Sequence, residues 1–560
     1  MSDFHKVHAA IKRAYSLVNF SIYNNIHKEY EFKKQTILAD ESLTENEKSE
    51  AINILTISYD GDKLIINEGT KRICENCNKE CLATSFCEHC VRNYLKAKFS
   101  NWTSGNDNID NLLQECQMKA ISPDQIPEWI PYNNFRNIKY LTKGGFSKIY
   151  TAKWINGWYN EWDTKEQRLK RYGEYLIILK KLENVENANR NWFEEAKSHL
   201  IISNRWTEIV RCYGLTQDPE NGSYMLVMRK FDTDLRKYLQ QNHNQLKWKE
   251  RLQIADNIIL ALLRIHSENS IHRDLHSGNI LFQTVFGISD LGFCGPADKP
   301  LKSVYGNLPY IAPEVIIGKK QTFKSDIYSI AMLMWEISSG QPPFVNYEHN
   351  YYLAMNIVNG LRPKIVSGTP LEYKNLMIQC WDADPSKRPN IGTLWKKIVE
   401  INYFYQSKSN ESLIQPEEYN GSEIGSNINS IKNYMISRSK VYQFENLPKP
   451  RNATEEELEE FYSESYNLCI PDNIDDFDKL VCQKDNDTLI NKDNNRNLSK
   501  VFNKLQINSK SDVQNSNYYG EEIMQQQRKD IDIYDEIEMH NNSNPHSEEQ
   551  DELEILESKD

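Results

Sequence analysis

No apolar run in this 560-residue sequence is long enough to cross a membrane, and no apolar stretch follows Met1 as a secretion signal requires. Positive charge is also in deficit. Against 79 Asp and Glu stand 67 Lys and Arg, a net charge of -12, which excludes nucleic-acid binding by the chain as a whole. There is no internal repeat. Of eleven cysteines, five crowd between Cys74 and Cys90 and the rest are scattered, which is a poor disulfide framework and suits a reducing compartment. A cytoplasmic protein that touches neither membrane nor nucleic acid is expected, and its length calls for about three or four structural units.

What the sequence does contain is concentrated in one loop, Ile271-His272-Arg273-Asp274-Leu275-His276-Ser277-Gly278-Asn279-Ile280-Leu281. Polar residues are pinned between apolar ones, with Asp274 set to accept a proton and Asn279, five residues on, set to hold a metal. Further motifs follow in order. Asp290 stands in Ser289-Asp290-Leu291-Gly292, and Glu314 closes Ala312-Pro313-Glu314. Upstream, the apolar run Ile177-Ile178-Leu179 ends in Lys180, and Glu195 lies fifteen residues beyond it. Downstream come Asp326-Ile327-Tyr328-Ser329 and Cys380-Trp381 with Lys387-Arg388-Pro389. This ordered set resembles the protein kinases, whose catalytic loop reads H-R-D-L-x-x-x-N.

The resemblance implies an α+β, bilobal protein kinase fold, with a β-rich N-lobe and a helical C-lobe over 135–403. It also implies ATP and magnesium as cofactors. Lys180 would bridge the nucleotide phosphates, Glu195 would hold Lys180, Asp274 would take the proton of a substrate hydroxyl, and Asn279 and Asp290 would ligate magnesium. Nucleotide contacts fall on Leu141, Gly144, Gly145, Ile149, Met228 and Lys230. Aligned on the Gly-rich hairpin, Thr142 and Ser147 replace the first and third glycines. His276 stands where Ser/Thr kinases usually carry Lys, so activity that increases when His276 is charged is expected. Ser303 and Tyr305 are candidate phosphorylation sites whose phosphate would pair with Arg273, and Glu314 should pair with Arg388 in the interior. Gly306 to Ile311 resembles the Ser/Thr form of the substrate-binding region, with Asn307 in the Thr place, while the Trp-rich C-lobe resembles tyrosine-kinase-like enzymes.

Outside the kinase region, residues 1–70 read as a small helical hairpin, with a capping box at Thr44 and Glu47. In 71–134 the pairs Cys74/Cys77 and Cys87/Cys90 can offer four thiolates to one structural zinc, with Cys81 and His89 as spare ligands. Redox thiols or packed free cysteines are the other readings, and the paired spacing favours zinc. Two helices and a Pro-broken connector follow. This segment order resembles kinases expanded in some fungi. Trp158–Gly173 reads as a charged loop, and 404–560 reads as a mostly disordered tail, with a short helix at Glu455–Tyr462 and no core beyond 483. The expected partners are protein substrates, with other proteins reached through the N-terminal module. Two functions compete: an active Ser/Thr protein kinase in signal transduction, and a pseudokinase or scaffold.

Overall fold

The computed structural model describes residues 3–18, 22–23, 25–144, 147–183, 191–296, 304–407 and 439–464. Gly145, Ser303 and the polar end beyond residue 464 lie outside these. The chain separates into two units, 1–487 and 488–560, and every described residue belongs to the first.

Three helices open the fold where a hairpin is expected: α1 (Asp3–Ser16), α2 (Ile26–Leu38) and α3 (Glu45–Ile66). The additional helix, α2, is capped by Asn25, whose side chain accepts the Lys28 N–H at 2.9 Å. Val7, Ala10, Ala14, Ile37, Ala51 and Leu55 form the shared core. The capping box forms as expected: Glu47 accepts the Thr44 N–H at 2.7 Å, and Thr44 Oγ1 accepts the Glu47 N–H at 3.3 Å. The Cys-rich segment is a two-strand knuckle, β1 (Arg72–Ile73) with β2 (Glu80–Cys81), followed by α4 (Glu88–Lys96) and α5 (Asp107–Lys119).

The N-lobe is built on β3 (Glu128–Trp129), β4 (Phe135–Lys143), β5 (Lys148–Trp154), β8 (Tyr175–Lys181), β9 (Cys212–Gln217) and β10 (Tyr224–Arg229). They form one six-stranded sheet in the order β3-β9-β10-β8-β5-β4. Its edge, β3, comes from the Pro-broken connector and pairs parallel with β9. Alternation along β8 sends Ile177 and Leu179 into one core and Ile178 against the other. Helix α6 (Trp192–Ile202) follows, capped by Asn191, which accepts the Phe193 N–H at 2.8 Å.

Trp158–Gly173 is not a loop. It folds into an antiparallel hairpin, β6 (Tyr159–Asp163) with β7 (Arg168–Arg171). Glu161, Arg168 and Lys170 face out, Arg171 donates to the buried Glu128, and Trp162 and Leu169 enter the core of the Cys-rich segment. Burial of those two side chains is what orders it.

The C-lobe carries β11 (Thr233–Asp234), α7 (Leu235–Asn242), α8 (Trp248–Ser267), β12 (Ser270–Ile271), β13 (Ile280–Phe282), β14 (Phe286–Ile288), β15 (Gly295–Pro296) and β16 (Val304–Gly306). Helices α9 (Pro313–Ile316), α10 (Phe323–Ser339), α11 (Tyr351–Val358), α12 (Leu371–Cys380) and α13 (Ile391–Ser407) follow. Helix α8 buries Ile254, Ile258, Leu262 and Ile265 on one face, the 3.6-residue period expected of it. Nearly all of α10 is buried, and Gly340 ends it at φ +73°, where a Cβ would strike the His243 ring.

The tail expected to be mostly disordered from 404 carries a docked stretch. It consists of β17 (Lys440–Tyr442), an extended run and α14 (Glu455–Glu464). Arg451 donates its N–H to Val358 O at 3.1 Å, and the Tyr462 hydroxyl donates to Arg362 O at 2.6 Å. Phe461 is buried. Apolar residues spaced through a polar sequence are enough to seat it.

Candidate active site

The floor of the N-lobe sheet and α6 meet at Lys180. Its ammonium lies 2.8 Å from Glu195 Oε1 and 2.7 Å from Asp290 Oδ1. Glu195 is fully buried, so its charge is answered only inside the protein. One turn along α6, His199 Nε2 accepts the Leu291 N–H at 3.2 Å, which ties the helix to the loop carrying Asp290.

The catalytic-type loop hangs from α10. Asp326 accepts the N–H groups of His272 at 2.8 Å and Arg273 at 3.0 Å, and its other neighbour is His266 Nε2 at 3.0 Å. Burial alone would raise the Asp326 pKa. His266, His272 and the loop amide outweigh it and hold the carboxyl below its ordinary value. This clamp fixes Arg273 at φ +69°, in the left-handed region that non-glycine residues seldom adopt. Asn279 donates its amide to Asp274 O at 2.8 Å. Beneath, Arg388 donates to both carboxylate oxygens of Glu314 at 2.8 and 2.7 Å, and the pair is buried as expected.

On the acceptor side, Asp274 Oδ1 accepts a hydrogen bond from the hydroxyl of Ser439 at 2.7 Å. His276 Nε2 lies 3.2 Å from the same hydroxyl. Its other nitrogen, Nδ1, accepts the Gly278 N–H at 3.0 Å, which assigns the ring proton of the neutral form to Nε2. Burial first, and the Arg236 guanidinium second, lower the His276 pKa to about 3. The ring is therefore neutral near pH 7, where it serves as a hydrogen-bond donor, and the expected gain from charging His276 belongs at acid pH.

Two expectations for the activation segment are corrected as well. Tyr305 is only 3% exposed and its ring stacks on Phe293 with centroids 3.9 Å apart, so it is closed to a modifying enzyme in this arrangement. Arg273 already donates to Phe293 O at 2.8 Å and Pro296 O at 2.6 Å, so its guanidinium is engaged before any phosphate arrives. Ser303 lies outside the described residues. No local signal marked Ser439, because it sits in a polar stretch whose partner strand is more than a hundred residues upstream.

Around the cleft, Ile149 on β5 stands opposite Lys180 on β8. Leu141 is exposed on β4, and Gly144 begins the turn by donating to Ser147 O at 2.8 Å. Gly145 lies outside the described residues. Met228 is buried near the end of β10, and Lys230 follows that strand, half-buried.

Away from the cleft, Cys74, Cys77, Cys87 and Cys90 bring their sulfurs within 4.8 Å of one another. Cys74 and Cys90 are 3.7 Å apart, as are Cys77 and Cys87. That is far beyond a disulfide bond, and all four are free thiols. The backbone N–H of Cys77 is the largest influence lowering the Cys74 thiol to about 6, whereas burial pushes Cys87 up. Of the spare candidates, Cys81 brings its sulfur within 4.8 Å of that of Cys87 while pointing its thiol at Arg72 O at 3.4 Å, and His89 Nε2 lies 3.0 Å from Glu80 O.

Comparison with known proteins agrees with this geometry. Residues 135–398 match the family model for protein tyrosine and serine/threonine kinases. Among relatives from Dictyostelium discoideum, the dual specificity protein kinase zak2 is 27% identical over 362 residues, which cover 58% of this chain and 53% of the relative. Dual specificity protein kinase zakA is 31% identical over 202 residues, covering 32% of this chain and 26% of that one. The probable serine/threonine-protein kinase roco5 is 29% identical over 319 residues, covering 52% and 10% respectively. The chain thus spans about half the length of zak2 and about a quarter or less of the other two. Residues 135–398 of this chain are thus a domain similar to those of the protein tyrosine and serine/threonine kinase family.

Proposed function

We propose that the protein is an ATP- and magnesium-dependent protein kinase that transfers the γ-phosphoryl group to Ser and Thr hydroxyls of cytoplasmic signalling proteins. One observation carries this reading. The Lys180 ammonium is held by Glu195 and Asp290, and Asp290 is tied through Ser289, whose N–H donates to Asn279 O at 2.8 Å, and through Asn279, which donates to Asp274 O, to an Asp274 carboxylate that accepts a hydroxyl hydrogen bond at 2.7 Å. In this reading Lys180 orients the α- and β-phosphates, and Asp274 removes the acceptor proton as the new bond forms. The donor set suits magnesium, a hard cation that prefers oxygen. Asp290 is partly exposed, and Asn279 commits its amide nitrogen to Asp274 O, which leaves its carbonyl oxygen as the ligating end. Bound magnesium would neutralise charge on the phosphates. A serine side chain, not a longer tyrosine, reaches Asp274, which favours Ser/Thr acceptors.

Thr142 and Ser147 in place of two loop glycines favour the scaffold reading. Transfer of labelled phosphate from ATP–Mg²⁺ to a generic basic protein, beside an Asp274→Asn control, separates the two. The kinase reading expects transfer that the control lacks, with phosphoserine or phosphothreonine in the product. No transfer between pH 6 and 8 would leave the scaffold.

The Cys74–Cys90 cluster is proposed as a structural zinc site. Four sulfurs at about 2.3 Å from a tetrahedral ion stand about 3.8 Å apart, and the two observed separations are 3.7 Å. Elemental analysis should find one zinc per chain, and its absence from freshly purified protein would refute the site.

A further inference from the structure

The segment that follows the kinase domain does more than dock beside the cleft. Strand β17 forms an antiparallel ladder with β16, pairing Lys440 with Gly306, Val441 with Tyr305 and Tyr442 with Val304. Gly306 lies against the catalytic loop, at φ +138°, where a Cβ would come within 3.4 Å of Asp274 Oδ1. The ladder therefore delivers the residue just before β17, Ser439, to Asp274. A slip of one residue would turn this side chain away, so the register selects Ser439. The hydroxyl is held from two sides. Its proton points at Asp274 Oδ1, and its oxygen faces the Nε2 proton of His276.

Further anchors hold the segment in that register. Tyr442, three residues after Ser439, is buried, and its ring stacks on Phe444 with centroids 5.3 Å apart. Phe444 in turn packs on Tyr351 of α11. Beyond it, Asn452 accepts the Ala383 N–H at 2.8 Å, and Thr454 and Glu457 cap α14 against the C-lobe.

We propose that Ser439 is the chain's own phosphoacceptor, phosphorylated in cis by the active site it occupies. This rests on the protein kinase reading above. Ser439 Oγ forms a bond to the γ-phosphorus of ATP. The bond from that phosphorus to the bridging oxygen breaks, its electron pair leaves with ADP, and the hydroxyl proton passes to the Asp274 carboxylate. The product is a phosphoserine carrying about two negative charges beside a carboxylate. That repulsion expels Ser439–Tyr442 and opens the groove to other proteins. The same grip defines what the groove accepts: an extended segment with a hydroxyl residue and an aromatic residue three positions later.

The test uses the full chain, stripped of phosphate, incubated with ATP–Mg²⁺ and mapped by mass spectrometry, with a generic basic protein as second acceptor. Ser439 should be labelled with a half-time that does not change on dilution, as an intramolecular step requires. Ser439→Ala should lose that label and keep transfer to the basic protein. Tyr442→Ala removes an aromatic anchor and should slow Ser439 labelling by about tenfold, with faster initial transfer to the basic protein. A readout without nucleotide stands beside these. Amides of Lys440–Tyr442 should be protected from hydrogen exchange in the unmodified chain and lose protection in Tyr442→Ala. Transfer to the basic protein with Ser439 unlabelled overturns the inference and leaves the kinase reading standing. Labelling whose rate rises with protein concentration, or unprotected amides at 440–442, also overturns it. No transfer to either acceptor removes the kinase reading and this inference with it.

Discussion

His243 shows how one side chain can set acid sensitivity. Its Nδ1 lies 3.1 Å from Arg251 Nη1, and Arg251 Nη2 donates to His243 O at 2.9 Å. Burial, then the Arg251 charge, lower its pKa to about 4. The unfolded chain binds this proton near pH 6.5, so between about 4 and 6.5 the unfolded state holds more protons than the folded one. Stability is full above 6.5 and is lost as pH falls. At pH 5 the loss from this group is about 2 kcal/mol. His243→Asn keeps an acceptor for Arg251 and cannot titrate. Urea unfolding at pH 7.5 and 5.0 should show a smaller acid loss in the variant, by about that amount. Equal acid losses in the two proteins would show that His243 does not titrate between the folded and unfolded states.

At the scale of elements, α5 braces the helix that carries Glu195. Ile109, Leu112, Leu113 and Cys116 recur at helical spacing on α5 and pack against Ala196 and Leu200 of α6. The Lys180–Glu195 pair thus depends on a helix outside the kinase domain. Leu113 is fully buried, so Leu113→Ala should destabilise the chain by about 2–5 kcal/mol. If the brace also positions Glu195, kcat towards an added protein should fall while KM for that protein stays the same. A stability loss with unchanged kcat would reduce α5 to a packing role.

Elements differ sharply in how legible they are from sequence. Lys180, Asp274, Asn279 and Asp290 stand out because fixed short spacings hold them to one loop or strand, and the 3.6-residue period of α8 is equally plain. Strand β3 hides among prolines and has only two residues in the sheet. The β6–β7 hairpin offers mainly charged residues, and its order comes from Trp162 and Leu169 meeting a distant core. Strand β17 pairs with β16 across more than a hundred residues of sequence, and no local pattern encodes a contact so far away.

For the whole molecule, the Cys-rich segment is the joint between the N-terminal helices and the N-lobe. Asp60 on α3 is fully buried with Lys63 and accepts the N–H and hydroxyl groups of both Thr84 and Ser85, which pins the cysteine loop. On the other side, Trp162 and Leu169 enter its core, and Asn76 donates to Gln167 Oε1 at 2.7 Å. Structural zinc sites in small modules are worth about 10 kcal/mol or more in apparent free energy, so a bound ion here would support both neighbours. The C-lobe is different, with its own core around the buried α10. Chelation, or Cys87→Ser, should therefore remove the metal and expose amides of 72–97 and 159–171 to hydrogen exchange first. Amides of α10 should keep their protection under the same conditions. Simultaneous loss in all three regions would mean that the lobes unfold as one unit. No loss in 72–97 would mean that the four sulfurs pack without needing an ion.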